Sequence, residues 1–558
     1  MFKNSVIDKQ MDMFSETSSH LQESSQKKFD NPNSWHNLFR TQVYSRVDEN
    51  HYKVLFDQKM GAPNAPIRLL ISMMILKEAF GWSDQQLFEQ CNFNLLVRSA
   101  LGLINLSDKV PVESTYYLLR KRIYQHREST GEDLLENTFE DITSGQIKDF
   151  EVNGKSIRMD SKLLGSNIGF YTRYEIVHRT LCLFYNSLKP KSLSALSSDE
   201  GKQLKEICSE NAQKTVYHSI RKDLEDRLKV LGILTYKVLL VYKVHASKKQ
   251  YQLLDRVFNE HFKVEQDQQI ILRPKEELTT HSVQSPHDPD SAYRQKGDQK
   301  VKGYSVNVTE TNSEDQLNLI TNIQVDKANA PDTEFVKPSI ESTQEVSGQQ
   351  VEKVYADGAY QSPANEQQCQ DIDMVFTGMQ GAESRYELQM TPEGLLVTDT
   401  RTLESEIAQK ATKTKRSKED RYYIVKDDKR IYFGQSAIRA SQQRQTLKQR
   451  PIEELRKRNN VEATIYQLVV HVRNNKTRYR TMIKQKMWAL CRSLWINFIR
   501  ILNHTTQTCQ RTIILQKMSK KSVIFHLKTL FITKIDQSYL LQTYLLYIFR
   551  IRLRYSKI

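Results

Sequence analysis

The 558-residue sequence predicts a mixed α/β protein that begins with a helical domain. Apolar residues recur at helical spacing before residue 130, and the first alternating, strand-like run appears after residue 150. Later strand-like runs are separated by one long helical stretch and by shorter helices, which indicates an α/β core with insertions. The predicted organisation is a helical domain at 36–130, a core at 150–504, a helical insertion at 170–280 and a β-rich insertion at 380–445.

The composition indicates a protein that shares a compartment with nucleic acid. The formal net charge is +16, and Lys and Arg release condensed counterions when they bind phosphate. Charge alone also fits a basic protein that is merely kept soluble. The six cysteines form no CxxC or CxxxC pair, which argues against a zinc site and favours a reducing cytoplasm. We find no signal peptide and no apolar run of the roughly 18 residues that a membrane span needs.

The N-terminal domain is predicted from helix start and stop signals. Residues 1–35 are polar and Ser-rich, and we expect them to be disordered. The apolar run Ile67–Ala79 follows two prolines and ends at Gly81, and Ser83 then suits the start of a second helix. These residues fit a helix-turn-helix-like DNA-binding module and a plain helical bundle equally well. The candidate DNA contacts on the last helix are Arg120, Lys121 and Arg122.

Three carboxylates stand at positions suited to chemistry. Asp160 is expected to end the strand GKSIRMD, and Asp357 ends the β-rich run VEKVYA, where Gly358 allows a sharp exit of the chain. Glu462 lies at the rim of the apolar stripe of a predicted helix, and Arg458 is on the same face four residues earlier. Each carboxylate alone fits a solvated surface group. Their shared context, two strand ends and a rim helix in a basic chain, favours a metal site.

Metal-dependent cleavage of phosphodiesters needs this kind of side chain. Two Mg²⁺ ions about 3.5–4 Å apart can stabilise both the attacking and the leaving oxygen. Hard divalent cations prefer oxygen ligands, which Asp and Glu supply. A single His287 in the segment SPHDP has no second His or Cys nearby and is interpreted as a loop anchor.

With the pieces MDSKLLGSN, YADGAY and NNVEATIYQL, the order Asp, Asp, Glu resembles the DDE transposases of bacterial insertion sequences. Residues 35–125 resemble the helical InsH-type N-terminal domain of the same group. The resemblance implies an RNase H-like core in which Asp160, Asp357 and Glu462 bind two Mg²⁺ ions, with Mn²⁺ as a substitute. It also implies double-stranded DNA as the partner, both terminal inverted repeats and target, a homodimer in the DNA complex, no membrane partner, and a location at the bacterial nucleoid.

Part of the chain departs from that family's pattern. In the signature Tyr-x2-Arg-x3-Glu-x6-Lys, Arg458 and Glu462 match, whereas Leu455 and Val469 replace the Tyr and the Lys. Residues 505–558 contain no Gly or Pro and only one acidic residue, which indicates either translation beyond a disrupted stop or a basic amphipathic extension. We favour the first reading, and the alternative function is then a decayed copy that binds DNA without cutting it. Arg458 is expected to contact a DNA phosphate or to orient Glu462, and the alternative is a simple surface ion pair between residues four apart on a helix. Further candidate DNA contacts, for which a solvated face is nearly as good an account, are Arg473, Lys476 and Arg478.

Overall fold

A computed structural model describes residues 1–5, 16–57, 60–188, 196–314, 317–378, 384–411, 420–426 and 428–532. Side chains are described as far as residue 508, apart from Ser198. Two compact units divide the chain, Met1–Phe498 and Ile499–Ile558. Among the described residues, no helix has both the length and the hydropathy of a membrane-crossing segment.

The described chain is helical as far as Asp149, as predicted. Residues Ile67–Ala79 are buried on every side, so this helix forms the centre of the helical region. It ends at Gly81, whose φ of 67° is the left-handed conformation common at helix ends, and Ser83 caps the next helix in a capping box with Gln86. The helices are α1 (Glu23–Phe29), α2 (Trp35–Gln42), α3 (Ile67–Phe80), α4 (Asp84–Phe93), α5 (Leu95–Ala100), α6 (Glu113–Thr130) and α7 (Leu134–Asp149).

The described part of residues 1–35 differs from our expectation of disorder. Helix α1 lies within it, and the Thr17 backbone N–H donates to the carbonyl of Ile104 at 3.1 Å. The N-terminal ammonium group donates to the carbonyl of Met60 at 3.1 Å. Residues 6–15 lie outside the described part of the chain. The polar composition is therefore compatible with order here, because backbone groups pair with the neighbouring helical region.

The core is a six-stranded mixed sheet in the order β6–β5–β1–β7–β8, in which β4 also pairs with β5. The β1–β5, β5–β6 and β4–β5 pairs are antiparallel, and the β1–β7 and β7–β8 pairs are parallel. Antiparallel strands therefore lie on one side of β1 and parallel strands on the other. Numbered along the chain, these strands are β1 (Ser156–Gly165), β4 (Ala292–Lys296), β5 (Gln299–Thr311), β6 (Ile320–Lys327), β7 (Lys353–Ala356) and β8 (Asp373–Phe376).

The two faces of this sheet are different in character. Ile157 and Met159 of β1 belong to an apolar cluster with residues of β7 and of helix α13 (Val336–Ser347). Arg158 and Asp160, which alternate with them, point to the opposite face. Helix α17 (Asn459–Leu468) contacts β1 and β5 there. One face is thus packed on an apolar core, and the other carries charged groups under a short helix.

Two groups of elements are inserted into this core. Between β1 and β4 stand α8 (Arg173–Ser187), α9 (Ser198–Ser209), α10 (Ala212–His218), α11 (Arg221–Val241), α12 (Lys249–His261) and the hairpin of β2 (Phe262–Val264) and β3 (Ile270–Leu272). After β8 comes a second, antiparallel sheet in sequential order, made of β9 (Tyr386–Thr391), β10 (Gly394–Asp399), β11 (Ser405–Lys410), β12 (Tyr422–Lys426) and β13 (Lys429–Phe433). The remaining helices are α14 (Pro363–Gln368), α15 (Gln435–Gln449), α16 (Ile452–Arg456) and α18 (Met482–Ile532).

Candidate active site

The two aspartates belong to neighbouring parallel strands, Asp160 within β1 and Asp357 directly after β7. The pairing of β1 with β7 joins Ser156–Arg158 to Lys353–Tyr355, and continuing this register by two residues sets Asp160 opposite Asp357. Register partners on adjacent strands present their side chains on the same face of a sheet. The sheet therefore brings together two carboxylates that are far apart in sequence.

The prediction that Asp160 ends its strand is wrong. Strand β1 continues to Gly165 through its pairing with β5, in which Asp160 stands opposite Val308. Only the parallel pairing with β7 stops at Arg158. The physical reason is that β1 pairs with β5 over a longer stretch than with β7. The Asp160 carboxylate therefore lies in the middle of β1, yet at the end of its parallel pairing with β7.

Asp357 directly follows β7, as expected. Its Oδ1 accepts a hydrogen bond of 2.7 Å from the backbone N–H of Gly358, which opens the short helical turn Gly358–Tyr360. A side chain that caps a turn in this way has few accessible rotamers. Its carboxylate is therefore held at the carboxyl end of the parallel strands.

Arg458 connects the first and the third predicted carboxylate. Its Nη2 donates to Asp160 Oδ2 and its Nη1 to Glu462 Oε1, each at 3.0 Å. The Arg458 side chain is 13% exposed, whereas that of Glu462 is 58% exposed. The predicted continuous helix is divided into α16 and α17, and Arg458 immediately precedes α17. The guanidinium group thus lies at the inner end of the site and Glu462 at its outer rim.

The electrostatics match this geometry. Burial raises the pKa of Asp160, and the nearby Asp357 carboxylate adds to that rise, although Arg458 opposes both effects. Burial disfavours the charge on Arg458, but Asp160, Asp357 and Glu462 together outweigh it and raise the pKa of the guanidinium group. The three carboxylates therefore act on one shared cation.

A buried ion pair fixes α17 on the sheet beneath this site. Arg158 Nε donates to Glu310 Oε1 at 2.5 Å, and Thr464 Oγ1 donates to Glu310 Oε2 at 2.7 Å. Arg158 belongs to β1, Glu310 to β5 and Thr464 to α17, so one carboxylate joins three elements. This network was not predicted from the sequence, although the charges at alternate positions of β1 are a signal for it.

The donor set suits a hard divalent cation, but the side chains do not yet form a complete site for one. All three predicted residues offer carboxylate oxygens, and their arrangement already stabilises a positive group. Nowhere in the described part of the chain do three or more His, Cys, Asp or Glu side chains stand close enough to hold a metal ion. Glu462 is turned to Arg458, so it would join the aspartates as a ligand only after that guanidinium moved.

A cavity adjoins Asp357 on the side of α14, β8 and α15. A methyl group added to Gly378, which lines the cavity, would lie 3.7 Å from Asp357 Oδ1. Helix α15 contributes basic and amide side chains to the wall, and it contains no acidic residue. This helix was not predicted from the sequence, and the absence of Asp and Glu over its fifteen residues was the available signal. Lining side chains include Gln361, Arg439, Gln442, Gln443 and Arg450.

The predicted basic contacts on α6 have different environments. Arg120 is 12% exposed; it lies over the ring of Tyr116 and donates to Tyr124. These contacts make Arg120 part of the packing within the helical region. Arg122 lies over Phe56 at 4.9 Å and is half-buried, and Lys121 is exposed. Lys121 is therefore the best placed of the three to meet a DNA backbone.

The basic segment after α17 is partly used to join the helical region to the core. Arg478 Nη1 donates to the carbonyl of Trp82 at 2.6 Å, and His471 Nε2 donates to that of Ala79 at 2.9 Å. Lys476 donates to the carbonyl of Ile168 at 2.9 Å. Arg473 is exposed.

The predicted loop-anchoring role of His287 belongs instead to its neighbour, the fully buried Asp288, which accepts hydrogen bonds from Ser166 and Tyr304.

Comparison with known proteins gives one match. Residues 25–122 match a family model described as a transposase domain (DUF772). No curated protein and no solved structure matches the chain. The matched range covers α1 to most of α6, outside the sheet that carries the carboxylates. It supports a transposase as the class of protein, from the helical region alone.

Proposed function

We propose that the chain is a DNA transposase that binds the terminal inverted repeats of its own element, cleaves DNA there and joins the freed ends to target DNA. The observation that carries this proposal is the register of the adjacent parallel strands β1 and β7, which sets Asp160 opposite Asp357 when it is extended by two residues, with Arg458 joining Asp160 to Glu462. The transposase-domain match at residues 25–122 supports the same class independently.

The sheet supports an RNase H-like core. Antiparallel strands on one side of β1 and parallel strands on the other agree with the fold that the sequence resemblance implies. In such mixed sheets, ligands commonly bind beyond the carboxyl ends of parallel strands. Asp357 occupies such an end, and Asp160 is its register neighbour.

The proposed cofactor is a pair of Mg²⁺ ions, for which Mn²⁺ would substitute. Asp160, Asp357 and Glu462 would hold them. Bound divalent cations stabilise the charge that develops on the attacking and leaving oxygens. Arg458 keeps the carboxylates from repelling one another, and its guanidinium group suits a DNA phosphate once it leaves Glu462.

The proposed partner is double-stranded DNA, held by a homodimer at the bacterial nucleoid. Exposed Lys121 and Arg473 are the best placed of the predicted contacts, and α15 offers further basic and amide groups beside Asp357. Contacts of this kind neutralise phosphates without reading sequence. Recognition of the repeats then falls to the helical region.

A second candidate is a DNA-binding remnant that no longer cuts. The observation that favours it is the separation of Glu462 from the aspartates: Glu462 is 58% exposed and paired with Arg458. In this case the chain would reduce the electrophoretic mobility of a duplex that contains the repeat, but it would not cleave that duplex at any Mg²⁺ or Mn²⁺ concentration.

The deciding experiment compares Asp357→Asn with Asp371→Asn on duplexes that carry the ends of the element. Asparagine keeps the shape of the side chain but removes the charge that a divalent cation needs. Asp371 is an exposed aspartate just before β8 and is the matched control. We expect D357N to lose Mg²⁺-dependent cleavage by at least about a hundredfold while retaining its mobility shift, and D371N to behave as the native chain. Cleavage by D357N at the native rate would reject the assignment, and binding without cleavage by the native chain would favour the remnant.

A further inference from the structure

A second cluster of reactive groups lies in the helical insertion, apart from the carboxylates. Cys182 and His178 stand one turn apart on α8, with 3.6 Å between the Cys182 sulfur and His178 Nδ1. The sulfur of Cys182 also hydrogen-bonds with that of Cys208 on α9. Both cysteines are free thiols and half-buried. The Cys182 sulfur thus contacts both an imidazole and a second sulfur at the junction of two helices.

The protonation of His178 follows from its other neighbour. Its Nε2 is 2.7 Å from the carbonyl oxygen of Ile207, which can only accept a hydrogen bond, so Nε2 carries a proton. In the neutral ring Nδ1 then has the lone pair, and it faces Cys182. His178 is therefore oriented to take the proton of the Cys182 thiol.

The surroundings favour one thiolate and one thiol. The hydrogen bond from Cys208, followed by that from His178 and the charges of His178 and Arg179, lowers the pKa of Cys182 to about 5 despite burial. The bond with Cys182 raises the pKa of Cys208. Cys182 is thus the nucleophile of the pair, and Cys208 keeps its proton.

Other cysteines in the described part of the chain have a different environment. Cys91, Cys369 and Cys491 are buried. Burial raises the pKa of Cys91 to about 12 and that of Cys491 well above its ordinary value. Such thiols are poor nucleophiles. Cys182 and Cys208 therefore differ from these three cysteines in their hydrogen-bond partners.

We propose that Cys182 and Cys208 form a peroxide-reactive dithiol site that closes to a disulfide between α8 and α9. In the first step the Cys182 thiolate attacks one oxygen of hydrogen peroxide, and the O–O bond breaks. This gives a Cys182 sulfenic acid and a hydroxide that takes a proton from His178 to become water. In the second step the Cys208 sulfur attacks the Cys182 sulfur, the S–O bond breaks, and the hydroxide leaves with the Cys208 proton as water. Two thiols lose two electrons in total, and one peroxide is reduced to two waters.

Peroxide titration of the full chain, followed by acid quenching, alkylation and peptide mass spectrometry, tests the proposal. We expect a linked Cys182–Cys208 peptide pair to appear before oxidation of Cys91, Cys369 or Cys491. The Cys208→Ser variant should accumulate a sulfenic acid at Cys182 that dimedone traps, and Cys369→Ser is the matched control and should form the linked pair as the native chain does. Absence of the linked pair at peroxide levels that oxidise the buried cysteines would overturn the proposal.

Alkylation by iodoacetamide gives a readout that a purely structural role would not change. At pH 6 we expect Cys182 to react at least about tenfold faster than a free cysteine of ordinary pKa, because it is already a thiolate. His178→Gln should remove most of this advantage while circular dichroism confirms that the fold persists. A Cys182 rate in the native chain equal to that of a free cysteine at pH 6 would reject the assignment of His178 as its base.

Discussion

The buried ion pair of Arg158 and Glu310 beneath the candidate site allows a specific prediction about the free energy of unfolding. Glu310 has no exposed side-chain surface and Arg158 only 7%, and each is the other's charged partner. Glu310→Gln keeps the size of the side chain and its ability to accept from Thr464, but removes the charge. The guanidinium group of Arg158 then keeps its hydrogen bond to Asn312 but is buried without a charged partner, so we expect the free energy of unfolding to fall by about 3–5 kcal/mol.

Two further variants separate the charge from the hydrogen bond. Thr464→Val deletes the 2.7 Å bond to Glu310 and leaves both charges of the ion pair in place, so we expect a loss of about 1.5–3 kcal/mol. The double replacement Arg158→Met with Glu310→Leu removes both charges together. Because apolar replacement of a whole buried pair is often neutral or stabilising, it should recover most of what E310Q loses.

The assay is urea unfolding followed by circular dichroism, with hydrogen exchange of peptides from β1, β5 and α17 to locate the effect. Glu314→Gln is the matched control, because Glu314 is 76% exposed in its pair with Lys457. It should leave the free energy of unfolding unchanged within experimental error. The unpaired charge of Arg158 would not be the cause if the free energy of unfolding of E310Q fell by less than about 1 kcal/mol, or if the double variant were as unstable as E310Q.

Two other changes have clear expected outcomes. Burial, with the nearby charges of Glu136 and Glu345, raises the pKa of Glu140 from 4.5 to about 7. Between these two pH values the folded chain holds a proton that the unfolded chain has released, so the free energy of unfolding falls as the pH rises. Glu140→Gln should therefore match the native chain below pH 4.5 and gain about 1–3 kcal/mol above pH 7 in urea melts, and an equal gain at both pH values would contradict this origin. A chain ending at His504 should melt within about 2 °C of the full chain, since side chains from Leu502 to Thr508 are half-buried or exposed, and a drop of several degrees would show that the tail stabilises the fold.

The helical region and the class of fold were accessible to sequence reasoning because local signals determine them. Pro66 and Gly81 bound α3, and a capping box at Ser83 begins α4, as predicted. The mixed α/β class followed from the change of hydrophobic period near residue 150. Local signals were weaker for β1, because Asp160, Ser161 and Lys162 are polar in succession and so place polar groups on both faces of the strand. The hydrophobic alternation therefore stopped at Asp160, while backbone pairing with β5 continued to Gly165.

Arginine placement illustrates what needs the folded chain. Arg120 and Lys121 are adjacent and look equivalent in sequence, yet the first is enclosed by Tyr116, Tyr124 and Asp84 while the second is exposed. Tyr116 and Tyr124 lie one turn away on the same helix, but the pairing of Arg120 with Asp84 depends on how α4 packs against α6. A run of basic residues therefore predicts a basic face less well than it predicts a helix.

Arg458 combines both kinds of information. Its pairing with Glu462 follows from their spacing of four residues on one helical face, and the structure confirms it at 3.0 Å. Its second hydrogen bond, to Asp160, joins residues that are 298 positions apart and depends on the packing of α17 against β1. The first contact is local and half in solvent, whereas the second is held by the buried pair of Arg158 and Glu310. The site is consequently more rigid on the side of the aspartates than on that of Glu462, and Glu462 is the carboxylate with most freedom to turn toward a new partner.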